Sequence, residues 1–72
     1  MDNLRLEYAR KKQNKSRSHM GILIGKCEQT YAKKERGEVK FTPEEIAVVS
    51  KELEFTRDEV SDIFFDGNLP KR

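Results

Sequence analysis

Tryptophan is absent from the chain, and cysteine and histidine occur once each. A single cysteine forms no internal disulfide, so Cys27 reads as a plain thiol in a reducing compartment. His19 and Cys27 together supply too few ligands for a zinc site. No Ser/His/Asp order, glycine-rich phosphate loop or paired-carboxylate cleft is legible, so no enzyme, no cofactor, no metal and no small-molecule substrate is expected. No stretch approaches the roughly 18 apolar residues of a membrane span. The opening MDNLRLEYARKK has no apolar signal core, and a cytoplasmic protein is expected. Alternation of period two is also missing, which leaves no strand to predict.

What is present is short, charged and helical in pattern. Seventy-two residues make one domain, which buries only about 60% of the surface it exposes when unfolded. The two halves carry opposite charge. Residues 1–40 hold 11 Lys/Arg and 5 Asp/Glu, a net +6, and residues 41–72 hold 4 and 8, a net −4. A basic half suits a phosphate backbone or an acidic protein, although a solvated helical face has the same composition.

Five helices are predicted. The first covers about residues 3–13, with Asn3 as its cap and Leu4 and Tyr8 as an i,i+4 pair. The second covers about 17–24, opened by Ser16 and ended by Gly25, which tolerates the left-handed conformation of a helix stop. The third covers about 28–36 and stops at Gly37. The fourth opens in FTPEEI: Thr42 caps, Pro43 takes the first helical position, Glu45 closes a capping box, and Phe41 staples to Ile46. FTRDEV repeats that grammar with Thr56, Glu59, Phe55 and Val60. Apolar spacing supplies a core of Ile46, Val49 and Leu53 from the fourth helix and Val60, Ile63 and Phe64 from the fifth. Leu6, Met20, Ile24 and Tyr31 are the expected inward residues of the first three. GNLPKR reads as a turn and a frayed tail, giving a domain over 1–66 and a tail over 67–72. Val48, Phe65 and Leu69 are what remains for a dimer stripe.

The second and third helices, joined through Gly25-Lys26-Cys27, have helix-turn-helix spacing, over about 17–36. With Gly21, Gly25, the inward Tyr31, KKERGE at 33–38, and the pair Arg10 and Glu35, the chain resembles the Cro/CI (Xre) family of phage repressors and bacterial regulators over roughly residues 3–65. The resemblance implies an all-α, five-helix lambda-repressor-like domain and an internal Arg10–Glu35 ion pair. It also places Glu28, Gln29, Thr30 and Lys33 on the groove side of a recognition helix. There Gln29 suits adenine, and Lys33 suits guanine or phosphate. Arg17 starts the second helix near the backbone, and Lys34, Arg36 and Lys40 are candidate phosphate contacts.

Three features depart from that pattern. Glu28 either accepts a hydrogen bond from cytosine or repels phosphate. Ile22 points nearly opposite Met20 and Ile24, and Leu23 flanks it in a slot usually polar in the family, so both can form a partner-binding patch with Lys26, Glu28 and Gln29. The other reading is that the helix rotates to cover them. Lys15 and Lys26 stand where the family is usually apolar, and their stems can still cover core. Cys27 takes the N-cap slot of the third helix, as a small turn residue or as a thiol made reactive by the helix end.

In length and style the chain also resembles the small modulator-of-repression proteins of lactococcal temperate phages. That likeness implies an antirepressor in the cytoplasm of a bacterial host, one that binds a CI-type phage repressor and masks its DNA-reading surface. A Cro-like dimer that binds operator DNA is the alternative. An antitoxin is a third, with no long neutralising extension to support it.

Overall fold

The computed structural model describes residues 1–67, and within them the chain is a five-helix all-α domain with no strand. The helices are α1 (Asn3–Lys12), α2 (Arg17–Leu23), α3 (Glu28–Glu35), α4 (Pro43–Glu52) and α5 (Arg57–Phe64). The first three end one residue earlier than the pattern predicts, a difference within ordinary fraying of a last turn.

Four of the five helices, all but α3, begin on a side-chain oxygen. Ser16, Thr42 and Thr56 cap α2, α4 and α5 as expected, and the last two complete reciprocal capping boxes with Glu45 and Glu59. The cap of α1 corrects the sequence reading. Asp2, not Asn3, accepts from the Arg5 backbone N–H at 3.1 Å, and Asn3 is already helical. Asp2 can do this because its own N–H is held by the carbonyl of Ile63 at 2.7 Å, which fixes the entry of α1 against α5.

The stops of α1 to α4 follow one device. After α2, the N–H of Lys26 bonds the Gly21 carbonyl and that of Gly25 bonds Ile22, with Gly25 at φ 73°. This is the Schellman arrangement, and it recurs after α3 at Gly37. It recurs after α1 and α4 too, where Asn14 (φ 59°) and Glu54 (φ 57°) take the left-handed position without the freedom of glycine.

Leu6, Met20, Tyr31, Val49, Leu53 and Ile63 form the closed core, with Ile24, Phe41, Phe55 and Phe64 packed against it. Tyr31, Phe41 and Phe64 meet edge to face at centroid separations of 6.1 and 5.5 Å, the geometry aromatic quadrupoles favour. Val60 and Ile46 are only partly buried. Ile46 instead lines an open cleft of about 360 Å³ with Val39, Phe41, Phe64 and Phe65. Of the expected dimer stripe, Val48 is exposed, Phe65 lines this cleft, and Leu69 lies outside the described residues. So does most of the predicted turn and tail.

Two buried ion pairs tie the helices together. The Arg10 Nε donates to Glu35 Oε1 at 2.7 Å and its Nη2 to Oε2 at 3.2 Å, joining α1 to α3. Arg10 Nη1 also donates to the Lys15 carbonyl at 2.8 Å, and the Tyr31 hydroxyl donates to Glu35 at 2.9 Å. Burial opposes the Arg10 charge most strongly, but the bond to Glu35 and the Glu35 charge together outweigh it and lift its pKa above the ordinary value. Burial, the Glu35 charge and the bond to Glu35 push Tyr31 upward. The second pair is Lys34 with Glu45, at 2.8 Å between α3 and the first turn of α4.

Gly21 sets the closeness of α2 to the turn. A Cβ there would stand 3.0 Å from the Lys26 carbonyl oxygen and 3.1 Å from the Cys27 carbonyl carbon and oxygen. These are backbone atoms, and Lys26 is further held by its 2.8 Å bond to Gly21 itself, so they cannot swing aside. Gly21→Ala is therefore expected to lower stability by about 1–2 kcal/mol in urea denaturation, although alanine is favoured over glycine inside a helix by about 1 kcal/mol. A stabilised variant would show that the turn has room.

Candidate protein and nucleic-acid interface

The α2–turn–α3 unit presents a surface whose residues come from both helices and the turn. Around α2, Met20 and Gly21 are buried and Ile24 is half-buried. At 100° per residue Ile22 then points outward, and it is 74% exposed. Leu23 on its flank is 38% exposed. The helix has not rotated to cover them. It is held in place by His19, whose Nε2 meets Glu52 Oε2 at 2.8 Å, and by the Gly21 contact. Lys15 reaches the same Glu52 carboxylate at 3.1 Å. The His19 bond, then Lys15, hold the Glu52 carboxyl below its ordinary value. Lys15 is thus half-buried and paired across to α4, while Lys26 is exposed.

Around α3, Tyr31, Lys34 and Glu35 are buried. Gln29 and Lys33 lie on the opposite side and are exposed, and Glu28 is exposed at the first turn. Arg17, Lys26, Glu28, Gln29 and Lys33 make no side-chain hydrogen bond or ion pair among the described residues, and all are available to a ligand. Thr30 is half-buried, and its hydroxyl lies 3.2 Å from the Cys27 Sγ. That contact, rather than capping, is what the Cys27 side chain does: it makes no cap bond, and Thr30 lowers its thiol pKa below the ordinary value.

Of the candidate phosphate contacts, Lys34 is a correction. Its Nζ donates to Glu45 Oε1 at 2.8 Å and to the Lys40 carbonyl at 3.0 Å, and only 5% of the residue is exposed. A phosphate cannot reach it. Its place three residues after Tyr31 already put it on the inward side. Arg36 is exposed but ion-paired with Glu38 at 2.7 Å, which offsets its charge. Lys40 is exposed, with its carbonyl used by Lys34. Nothing in the local sequence points to the Lys34–Glu45 lock, since the capping box gives Glu45 a sufficient role. Glu45 performs both roles: Oε1 also accepts from the Thr42 N–H at 2.9 Å.

Among the described residues, no helix is long and apolar enough to cross a membrane. No protein-family model, curated protein or solved structure matches the chain.

The two adjacent lysines of α3 therefore separate by experiment. Lys33→Ala is expected to leave the urea midpoint nearly unchanged, whereas Lys34→Ala costs about 3 kcal/mol because it strands a buried carboxylate. Burial pushes Glu45 up, but the bonds from Lys34 and from the Thr42 N–H outweigh it and hold its carboxyl below 4.5. A carboxyl with a lowered folded pKa stabilises above its unfolded value and loses that contribution as pH falls through the folded one. Stability is therefore expected to fall below pH 4.5, and Glu45→Gln to flatten that fall. Equal loss in the two lysine variants would contradict the assignment.

Proposed function

We propose that this chain is a small regulator of a phage lysogenic/lytic switch that acts as an antirepressor, binding a CI-type repressor through α2 and α3 and masking that protein's DNA-reading surface. The observation that carries this reading is the outward Ile22 with Leu23, on a helix whose inward face is already filled by Met20, Gly21 and Ile24. Burying both against a partner would contribute about 3–6 kcal/mol before the costs of association. The likeness to Cro/CI regulators and to modulator-of-repression proteins supports the same reading.

A second reading has its own support. Gln29 and Lys33 are exposed and unbonded on one side of α3, with Arg17 free at the start of α2. A Cro-like protein would use such residues on base edges and phosphates. The two readings are compatible, since a bound repressor can bring the chain to DNA.

Titration of the purified protein into a CI-type repressor separates them. A heterocomplex is expected without DNA, and Ile22→Asp with Leu23→Asp is expected to abolish it while the fold persists by circular dichroism. Complex formation that survives both changes would remove the patch from the mechanism. A specific shift of operator DNA by the protein alone, lost in Gln29→Ala with Lys33→Ala, would favour the second reading.

A further inference from the structure

The open cleft beside α5 has no part in either reading. Its walls are Val39, Lys40 and Phe41 from the α3–α4 connection, Ile46 from α4, and Phe64 and Phe65 at the end of α5. These walls are held in place. The Lys40 carbonyl accepts from the buried Lys34 at 3.0 Å. The Val39 N–H reaches the Lys33 carbonyl at 3.4 Å. The Phe41 ring stands edge to face with both Tyr31 and Phe64, at 6.1 and 5.5 Å. The cleft is thus built before any ligand arrives. Its volume of about 360 Å³ falls in the lower range of small-molecule sites, about 300–1,000 Å³.

The charges of the lining choose the sign of a ligand. Lys40 is exposed, and its side chain makes no hydrogen bond or ion pair among the described residues. The other cation of the lining is the Met1 ammonium, which Asp66 meets at 3.3 Å. No carboxylate stands among the described lining residues. Those nearest in sequence are engaged or turned away. Glu38 is tied to Arg36 at 2.7 Å and Glu45 to Lys34 at 2.8 Å. Glu44 lies two positions before Ile46, about 200° around α4. An apolar cleft with one uncompensated cation fits an amphiphile with a negative head. We propose that the cleft binds a medium-length alkyl carboxylate, with its chain among the phenylalanine rings and its carboxylate on the Lys40 ammonium, which the flexible lysine stem can bring to it. A neutral chain leaves that ammonium unpaired, and an alkylammonium meets like charge. The site does not depend on the antirepressor reading.

The experiment titrates octanoate, octanol and octylammonium into the full chain and follows amide and methyl NMR shifts. Octanoate is expected to shift Val39, Ile46 and Phe65 and to leave Ile22 and Leu23 unmoved. It is expected to bind about fivefold more tightly than octanol, the upper end of what an exposed ion pair gives, with octylammonium weaker than either. Raising salt from about 50 to 500 mM is expected to erase the difference between octanoate and octanol. Lys40→Ala is expected to do the same at low salt, and its side chain has no partner in the fold to lose. Val39→Asp, at a residue 42% exposed, is expected to weaken octanoate by about tenfold or more, because it sets a carboxylate in the cleft wall. Circular dichroism melts verify that each variant is folded.

Failure of octanoate to bind overturns the inference. So does octanol binding as tightly as octanoate at low salt, or octanoate affinity unchanged in Lys40→Ala. A response at Ile22 and Leu23 in place of the cleft overturns it too. Shifts of the cleft residues that follow protein concentration without any probe would give the cleft to a second copy of the chain, and overturn it as well. None of these results bears on the heterocomplex with a CI-type repressor, which Ile22→Asp with Leu23→Asp tests separately.

Discussion

A guanidinium stays charged even when buried, so its donors must be met, and most of the architecture of residues 1–36 follows from how Arg10 is met. Two of its nitrogens take both oxygens of Glu35, and a third takes the Lys15 carbonyl. The first contact fixes α1 across α3, and the second fixes the chain between α1 and α2. Tyr31 adds a donor to the same carboxylate from one helical turn away. Because Tyr31 and Glu35 are held inward, the exposed side of α3 is fixed as well: Gln29 and Lys33 must point out. A bidentate pair of this kind need not add net stability over an apolar filling, since desolvation offsets much of its attraction. What it supplies is register.

The same logic extends to α2. Its inward side is short and is satisfied by Met20, by Gly21 against the turn, and by part of Ile24. His19 and Lys15 converge on Glu52 and prevent the helix from turning. Ile22 is thereby committed to solvent although the residue is as apolar as those in the core. A small domain tolerates a single exposed branched residue without consequence. Two adjacent ones, on the same helix-turn-helix unit as the exposed Gln29, Lys33 and Glu28, are what the proposed partner surface rests on.

Most of this was legible in sequence where a residue has one task. The repeated capping boxes at Thr42 and Thr56 placed α4 and α5, and Gly25 and Gly37 marked two stops. Ile22 was placed outward by spacing alone. The failures come where a residue has two tasks or where a neighbour outbids it. Asp2 rather than Asn3 caps α1 because a carbonyl from α5 sets its backbone, which no local pattern reveals. Glu54 ends α4 in the left-handed region that glycine usually fills, and the sequence carries no sign of it, whereas Asn14, after α1, is a residue that can replace glycine there. Lys34 read as a surface cation because lysine usually is one. Its partner Glu45 sits eleven residues on, already assigned to a cap, and only the packing of α3 on the start of α4 brings them together.

The dependence on Arg10 and Glu35 is tested most directly by a double-mutant cycle read in urea denaturation. Arg10→Met, Glu35→Met and the double variant are compared with the wild type. Each single change is expected to cost about 3–5 kcal/mol, because it strands a buried charge. The double variant is expected to lose much less than the sum, leaving a coupling of about 2–3 kcal/mol. Losses that add to within about 0.5 kcal/mol would mean that the two residues act independently, and that something other than their pairing holds α1 across α3.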